Sequence, residues 1–375
     1  MRTLLRSIVL TLLVATATAQ SPTPTPPPSS PPQPADRPTL NRPGASHATP
    51  SPTPAATPSQ PPAQAENSGT PEKLSYPDLL PRFDYDSHAG LDMRETDVQK
   101  RGNIRIIELN YSGGGGERVP AYLLIPPGNG PYPAIIWGHW LKQGSPLANK
   151  DEFLDEAVIL AHSGVVSLLI DSPQARHAWV PDNADTMAPI RQQSEAASHQ
   201  VTDIRRGVDL LYGRPDVDRK RIAYVGHSFS AHVGAIVAGV DLRIGSYVLM
   251  ASGYSDEEET FASKDPKTVA LIKEVGDDKM RGYFHDYAWD DPVYFLGHTD
   301  REAIFLQFAS GDGISKERAQ KYLDMFSAKD KKMEFYDASH ALNSAARLDR
   351  DRWLQKHLAI KKIDEKELEA IPQLK

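Results

Sequence analysis

The stretch Arg221–Ala238 most constrains what this chain can fold into. Ile222-Ala223-Tyr224-Val225 reads as a short strand of β-branched and aromatic residues. Gly226, His227 and Ser228 follow, and then a helix rich in small residues, Ser230-Ala231-His232-Val233-Gly234-Ala235. A serine between strand and helix in the frame Gly-x-Ser-x-Ser nearly matches the nucleophile elbow, Gly-x-Ser-x-Gly. There the turn is so tight that the serine backbone is strained and its hydroxyl stands clear of the sheet. The flanking residues must be small for strand and helix to approach. Gly226 meets that need, and Ala231, Gly234 and Ala235 let the helix lie close. Ser230 departs from it, carrying a Cβ where glycine is usual.

A serine hydroxyl is a poor nucleophile at neutral pH. It needs an imidazole base, a group to orient that base and backbone donors for the developing oxyanion. On a doubly wound sheet these partners follow in the order serine, acid, histidine, on loops after strands. Asp312 fits the acid: it lies in the glycine-flanked turn Ser310-Gly311-Asp312-Gly313 after the strand Ile304–Ala309. His340 fits the base, in the loop Asp337-Ala338-Ser339-His340 after the strand Lys332–Tyr336. Asp337 competes for the acid role, but its closeness to His340 would need an unusual loop, so Asp312 is preferred. His357 is the rival base, placed inside the last amphipathic helix. One oxyanion donor is expected from the backbone N–H of Phe229. The other is expected from the loop after Ala134-Ile135-Ile136, where Trp140 and Leu141 both remain open in Trp137-Gly138-His139-Trp140-Leu141.

Other chemistries find less support. His227 and His232, and His285 and His298, lack the spacing of helical or finger-like metal ligands, so no metal site is expected. No glycine-rich phosphate loop follows the first strand, and no nucleotide cofactor is expected. The formal net charge of −7 leaves no basic excess for a nucleic-acid partner. The sequence has no cysteine, which removes thiol nucleophiles, thiolate ligands and a lipid-modified cysteine.

The N-terminus has the layout of a secretory signal peptide. Arg2 and Arg6 flank the apolar run Ile8–Ala15, and Ala17-Thr18-Ala19 offers small residues for cleavage. The run is too short for a permanent bilayer span, so a secreted or periplasmic location is expected. Residues 20–73 are dominated by Pro, Ser, Thr, Ala and Gln and read as a disordered linker. From residue 74 to the C-terminus the chain reads as one globular domain. Expected strands are Asn103–Tyr111, Ala121–Ile125, Ala134–Gly138, Val165–Ile170, Ile222–Gly226, Gly245–Met250, Ala303–Ala309 and Met333–Tyr336. Between them lie expected helices Lys150–His162, Glu195–Tyr212, Ser230–Gly239, Lys316–Phe326 and Ala341–Leu358. This alternation predicts an α/β fold with a mostly parallel sheet and ligand sites at the carboxyl ends of the strands. The run Gly113–Gly116 reads as a hairpin-like loop between the first two strands. Residues 252–300, mixing acidic and aromatic residues, form either a cap over the site or a crossover packed on the core.

With Tyr224–Ser230, Gln307–Asp312 and Asp337–His340 in this order, the chain from Ala121 to Leu358 resembles the α/β-hydrolase superfamily. Within it, the chain is most similar to dienelactone-hydrolase-like and acetyl-esterase-like groups. The resemblance implies an eight-stranded, mostly parallel sheet, no cofactor and hydrolysis of a small-molecule ester or related acyl bond. It implies Ser228 as nucleophile, His340 as base and then acid, and Asp312 as orienting carboxylate. Dienelactone hydrolases proper use a cysteine, so their substrate is not implied here. Peptide or amide cleavage, and a non-catalytic binding protein on this fold, are the competing expectations.

Overall fold

The computed structural model describes residues 74–142, 144–176 and 186–373. The expected signal peptide and linker lie outside the described residues. Among the described residues no helix is long and apolar enough to cross a membrane.

Nine strands form one sheet in the order β1-β2-β3-β5-β4-β6-β7-β8-β9. They are β1 Arg94–Arg101, β2 Ile104–Ser112, β3 Arg118–Ile125, β4 Tyr132–Gly138, β5 Val166–Ile170, β6 Val217–His227, β7 Ser246–Met250, β8 Ala303–Ala309 and β9 Asp330–Tyr336. The pairs β1–β2, β2–β3 and β3–β5 are antiparallel, and every pair from β5 through β9 is parallel. The expected eight strands become nine because β1 joins the edge. All eight of its residues are exposed, and its charges suit an unpaired edge that must not recruit another strand.

Eight helices matter for the site: α1 Leu154–His162, α2 Ala188–Tyr212, α3 Phe229–Val240, α4 Asp256–Ala262, α5 Pro266–Val275, α6 Asp277–Asp286, α7 Lys316–Met325 and α8 Ser344–His357. Side chains alternate across a strand, so each interior strand feeds two cores. Ala134 and Ile136 of β4, with Ile222 and Tyr224 of β6, join α2 and α3 on one face. Ile135 and Trp137, with Ala223 and Val225, join α1 and α8 on the other. This is why the central strands are apolar at nearly every position rather than at alternate ones. Both faces are covered, and the carboxyl ends of the strands remain as the place for a site.

Residues 252–300 pack in two places. Phe295 and Leu296 join the larger core, with Trp289 and Tyr294 packed against it. Leu271, Met280 and Phe284 instead form a small separate cluster with Met187 and Ile190 at the start of α2.

Candidate active site

Parallel pairing brings the critical loops together. Gly138 of β4 lies opposite Gly226 of β6, so the loop after β4 emerges beside the elbow. Ala309 of β8 lies opposite Tyr336 of β9, so the Asp312 and His340 loops also emerge side by side.

Ser228 sits at the turn between β6 and α3 with φ 56° and ψ −115°, a positive-φ conformation that a non-glycine residue adopts at a cost of about 1–3 kcal/mol. Its backbone is held on both sides. The Ser228 N–H donates to Met250 O of β7 at 2.8 Å, and its carbonyl accepts from the N–H groups of Ala231 and His232 at 2.9 and 3.0 Å. Ser228 itself is half-buried between buried neighbours. Phe229 is the first residue of α3, where helix geometry leaves the N–H without an intrahelical acceptor.

The tight turn depends on Gly226. A Cβ there would stand 2.4 Å from Ser230 O and 2.7 Å from Ser230 C. Ser230, the departure from the usual elbow, is accommodated from the neighbouring strand. A Cβ on Gly138 would meet the Ser230 Cβ at 2.7 Å, so glycine in β4 supplies the space that Ser230 occupies. The Ser230 hydroxyl donates to His139 O at 2.6 Å and accepts from Gln200 Nε2 at 2.9 Å, fully buried. Ser230 therefore ties α2, α3 and the loop after β4 together. Ser230→Ala leaves a buried carbonyl and a buried amide short of a partner, and a loss of about 1–3 kcal/mol is expected. Urea denaturation checks the loss, and ester turnover by the same variant is expected to stay within about ten-fold of wild type.

Asp312 closes a tight turn, Ser310–Asp312, which Gly313 ends in a left-handed conformation at φ 77°. The Gly311 N–H donates to Ala338 O at 3.0 Å, joining this turn to the His340 loop. His340 Nδ1 lies 3.1 Å from Asp312 Oδ2. The carboxylate can only accept, so Nδ1 carries the hydrogen and the Nε2 lone pair is left to act as a base. Asp312 is buried and, among the described residues, its Oδ1 has no hydrogen-bond partner. The two rivals make other contacts. Asp337 Oδ1 accepts from the Ser310 hydroxyl at 3.4 Å, and His357 packs against Trp353 with ring centroids 4.1 Å and planes 42° apart. Among the described residues no hydrogen bond joins Ser228 Oγ to the His340 ring.

Two histidines of the elbow take opposite directions, as their positions dictate. His227 ends β6 and is fully buried against Glu152. His232, one turn into α3, points toward residues 252–300. Its Nε2–H donates to Asp290 O at 2.8 Å. Burial works against its charged form, but Asp256, Asp290 and Asp291 outweigh burial and raise its pKa to about 10. Burial raises Asp256, Glu259 and Asp291 to about 7. Among the described residues, His232, Asp256 and Asp290 bring three potential ligand atoms within 4.8 Å of one another, a grouping that could hold a cation only once the imidazole gives up its proton. Sequence spacing did not reveal this grouping, because its members come from three separate elements.

The loop after β4 departs from expectation at one atom. The Trp140 N–H, one of the two candidate oxyanion donors, donates instead to Glu152 Oε2 at 2.6 Å. His139 braces this loop: Nδ1–H donates to Trp140 O at 2.7 Å, and Nε2 accepts the Ser172 N–H at 2.9 Å. Burial lowers the His139 pKa, in keeping with a neutral ring whose two nitrogens have opposite roles.

No family model matches the chain, and no curated protein matches it. Solved structures do. An acetyl xylan esterase 1 from Thermoanaerobacterium sp. JW/SL YS485 superposes with a TM-score of 0.58 at 14% identity, over 76% of this chain and 92% of that one. An acetyl xylan esterase from Paenibacillus sp. R4 gives 0.57 at 17% identity, over 76% and 93%. The AtxE2 isopeptidase gives 0.51 at 14% identity, over 71% of this chain and 48% of that one. At these identities the likeness is one of fold. The nine-stranded, mostly parallel sheet with helices on both faces is an α/β-hydrolase fold.

Proposed function

We propose that the chain is an exported serine esterase of the acetyl-esterase-like kind, acting on a small-molecule carboxylic ester through an acyl-enzyme. The observation that carries this reading is the strained Ser228 at the β6–α3 turn, with an Asp312–His340 pair on neighbouring strand ends. Ser228 Oγ attacks the ester carbonyl carbon while its proton passes to His340 Nε2. The tetrahedral oxyanion accepts from the N–H of Phe229 and, because Glu152 holds the Trp140 N–H, from Leu141. Collapse breaks the carbon–oxygen bond to the alcohol, which takes the proton from His340. Water, deprotonated by His340, then releases the acid and restores Ser228. Asp312 keeps the imidazole in the required tautomer and stabilises it while charged.

Support for a short acyl group comes from the two neighbours described as acetyl xylan esterases. Support for export comes from Arg2, Arg6, Ile8–Ala15 and Ala17–Ala19. The isopeptidase neighbour favours the amide reading, but this chain spans under half of that one. A panel of nitrophenyl esters of increasing acyl length, run beside short peptide anilides, tests the proposal. Acetyl ester turnover is expected to exceed longer acyl and peptide turnover; faster peptide cleavage would replace the ester reading with the amide one.

A further inference from the structure

The buried pair Glu152–His227 has no place in the triad, yet it touches three of the loops that build the site. His227 immediately precedes Ser228 in the elbow. Its Nδ1 lies 2.5 Å from Glu152 Oε1, with the side chains 0% and 1% exposed. Its Nε2 lies 2.8 Å from the backbone carbonyl of His340. A carbonyl only accepts, so Nε2 carries a hydrogen and donates it. The other Glu152 oxygen, Oε2, accepts the Trp140 N–H at 2.6 Å. The Trp140 ring stacks on His227 with centroids 5.1 Å apart and planes 15° apart, and the His227 and His340 rings lie 5.3 Å apart.

One continuous chain of hydrogen bonds therefore runs from the oxyanion loop, through Glu152 and His227, to the backbone of the residue read as the base. Nδ1 and Oε1 share one proton between them, whichever atom holds it, so the pair is neutral as a unit. A neutral, fully enclosed link is stiff, since breaking it would strand polar groups away from water. Stiffness matters here because Asp312 fixes only one edge of the His340 ring, whereas the carbonyl bond from His227 fixes the backbone that carries it.

We propose that Glu152 and His227 form a positioning dyad that holds the His340 loop and the Trp140–Leu141 loop in register with Ser228. Neither residue touches substrate. The dyad acts through His340 and through the oxyanion loop, and it rests on the reading of Ser228, Asp312 and His340 as a triad. A base displaced by about 1 Å loses on the order of 100-fold in rate, so the dyad's effect is expected in kcat rather than in KM.

The test compares purified full-length wild type, Glu152→Ala, Glu152→Gln and His227→Asn. Steady-state hydrolysis of an acetyl ester, thermal melting and the rate of Ser228 labelling by a fluorophosphonate are measured on each. Glu152→Ala cuts the link at both ends, and kcat is expected to fall about 100-fold with KM within about three-fold. Glu152→Gln keeps an acceptor for Trp140 and a donor for His227 Nδ1, and is expected to recover at least about a tenth of wild-type kcat. His227→Asn keeps a donor near Glu152 but removes the one to the His340 carbonyl. It is expected to lower kcat by about ten-fold or more, and it decides the matter if Glu152→Ala does not fold. Folded Glu152→Ala or His227→Asn with wild-type kcat would overturn the dyad. So would Glu152→Gln as slow as Glu152→Ala, because hydrogen-bond geometry would then not be the operative property. If wild type itself neither labels nor turns over ester, the triad reading fails, a result distinguishable from either of these.

Discussion

Ser228→Ala is expected to lower acetyl ester turnover by about 10⁴–10⁶-fold, with the melting temperature within a few degrees of wild type. The size follows from chemistry: removing Oγ removes the covalent route, leaving only what the oxyanion donors and binding contribute. The small structural effect follows from geometry. The contacts that fix Ser228 are made by its backbone, to Met250, Ala231 and His232, and alanine keeps all three. Alanine also meets the same positive φ that serine already occupies. Initial-rate measurement beside a thermal melt separates the two effects. A variant that is folded and still turns over ester within ten-fold of wild type would remove Ser228 from the mechanism.

Gly226→Ala is expected to have the largest effect on the fold. The new methyl would stand 2.4 Å from the carbonyl oxygen and 2.7 Å from the carbonyl carbon of Ser230, and 2.7 Å from Tyr224 Cε1. Backbone cannot rotate aside as a side chain can. Here it is further fixed by the Tyr224 hydroxyl donating to that same Ser230 carbonyl at 2.7 Å. A loss of roughly 3 kcal/mol is expected, which lowers the melting temperature by about 6–10 °C. Activity should fall with it, because the turn that presents Ser228 must open to admit the methyl. Gly282→Ala is the control: in α6 its added Cβ meets nothing within 4 Å, and alanine suits a helix better than glycine. A calorimetric comparison in which both variants melt alike would contradict the close-approach account of the elbow.

The elements with strong apolar texture were legible in the sequence. Strands such as Val165–Ile170 and Ala134–Gly138 carry large side chains on both faces because both faces are covered. β1 was not legible, since all its residues are exposed and it presents Arg, Glu, Asp, Gln and Lys without an apolar alternation. Helix α2 begins at Ala188 rather than Glu195, extended at its start where Met187 and Ile190 pack against Leu271, Met280 and Phe284. That contact comes from eighty or more residues away, beyond any local pattern. The proximity of Asp312 to His340 was anticipated by chain order alone, because loop position after a strand largely decides spatial position on a parallel sheet. Glu152 gave no such signal. Its carboxylate meets His227 and the Trp140 N–H only because the loop after β4 folds back over the end of β6. A hint did exist in His227 itself: a polar residue at the end of a buried strand must find a partner.

The proposed mechanism requires Ser228 to be an activated nucleophile. Reaction of the folded wild-type protein with a fluorophosphonate, followed by peptide mass spectrometry, tests this most directly. One adduct per chain is predicted, on the peptide containing Tyr224–Ser230 and localised to Ser228. Labelling should slow when His340 is replaced by alanine. Folded protein that stays unlabelled, or that carries its adduct on Ser230, would contradict the account.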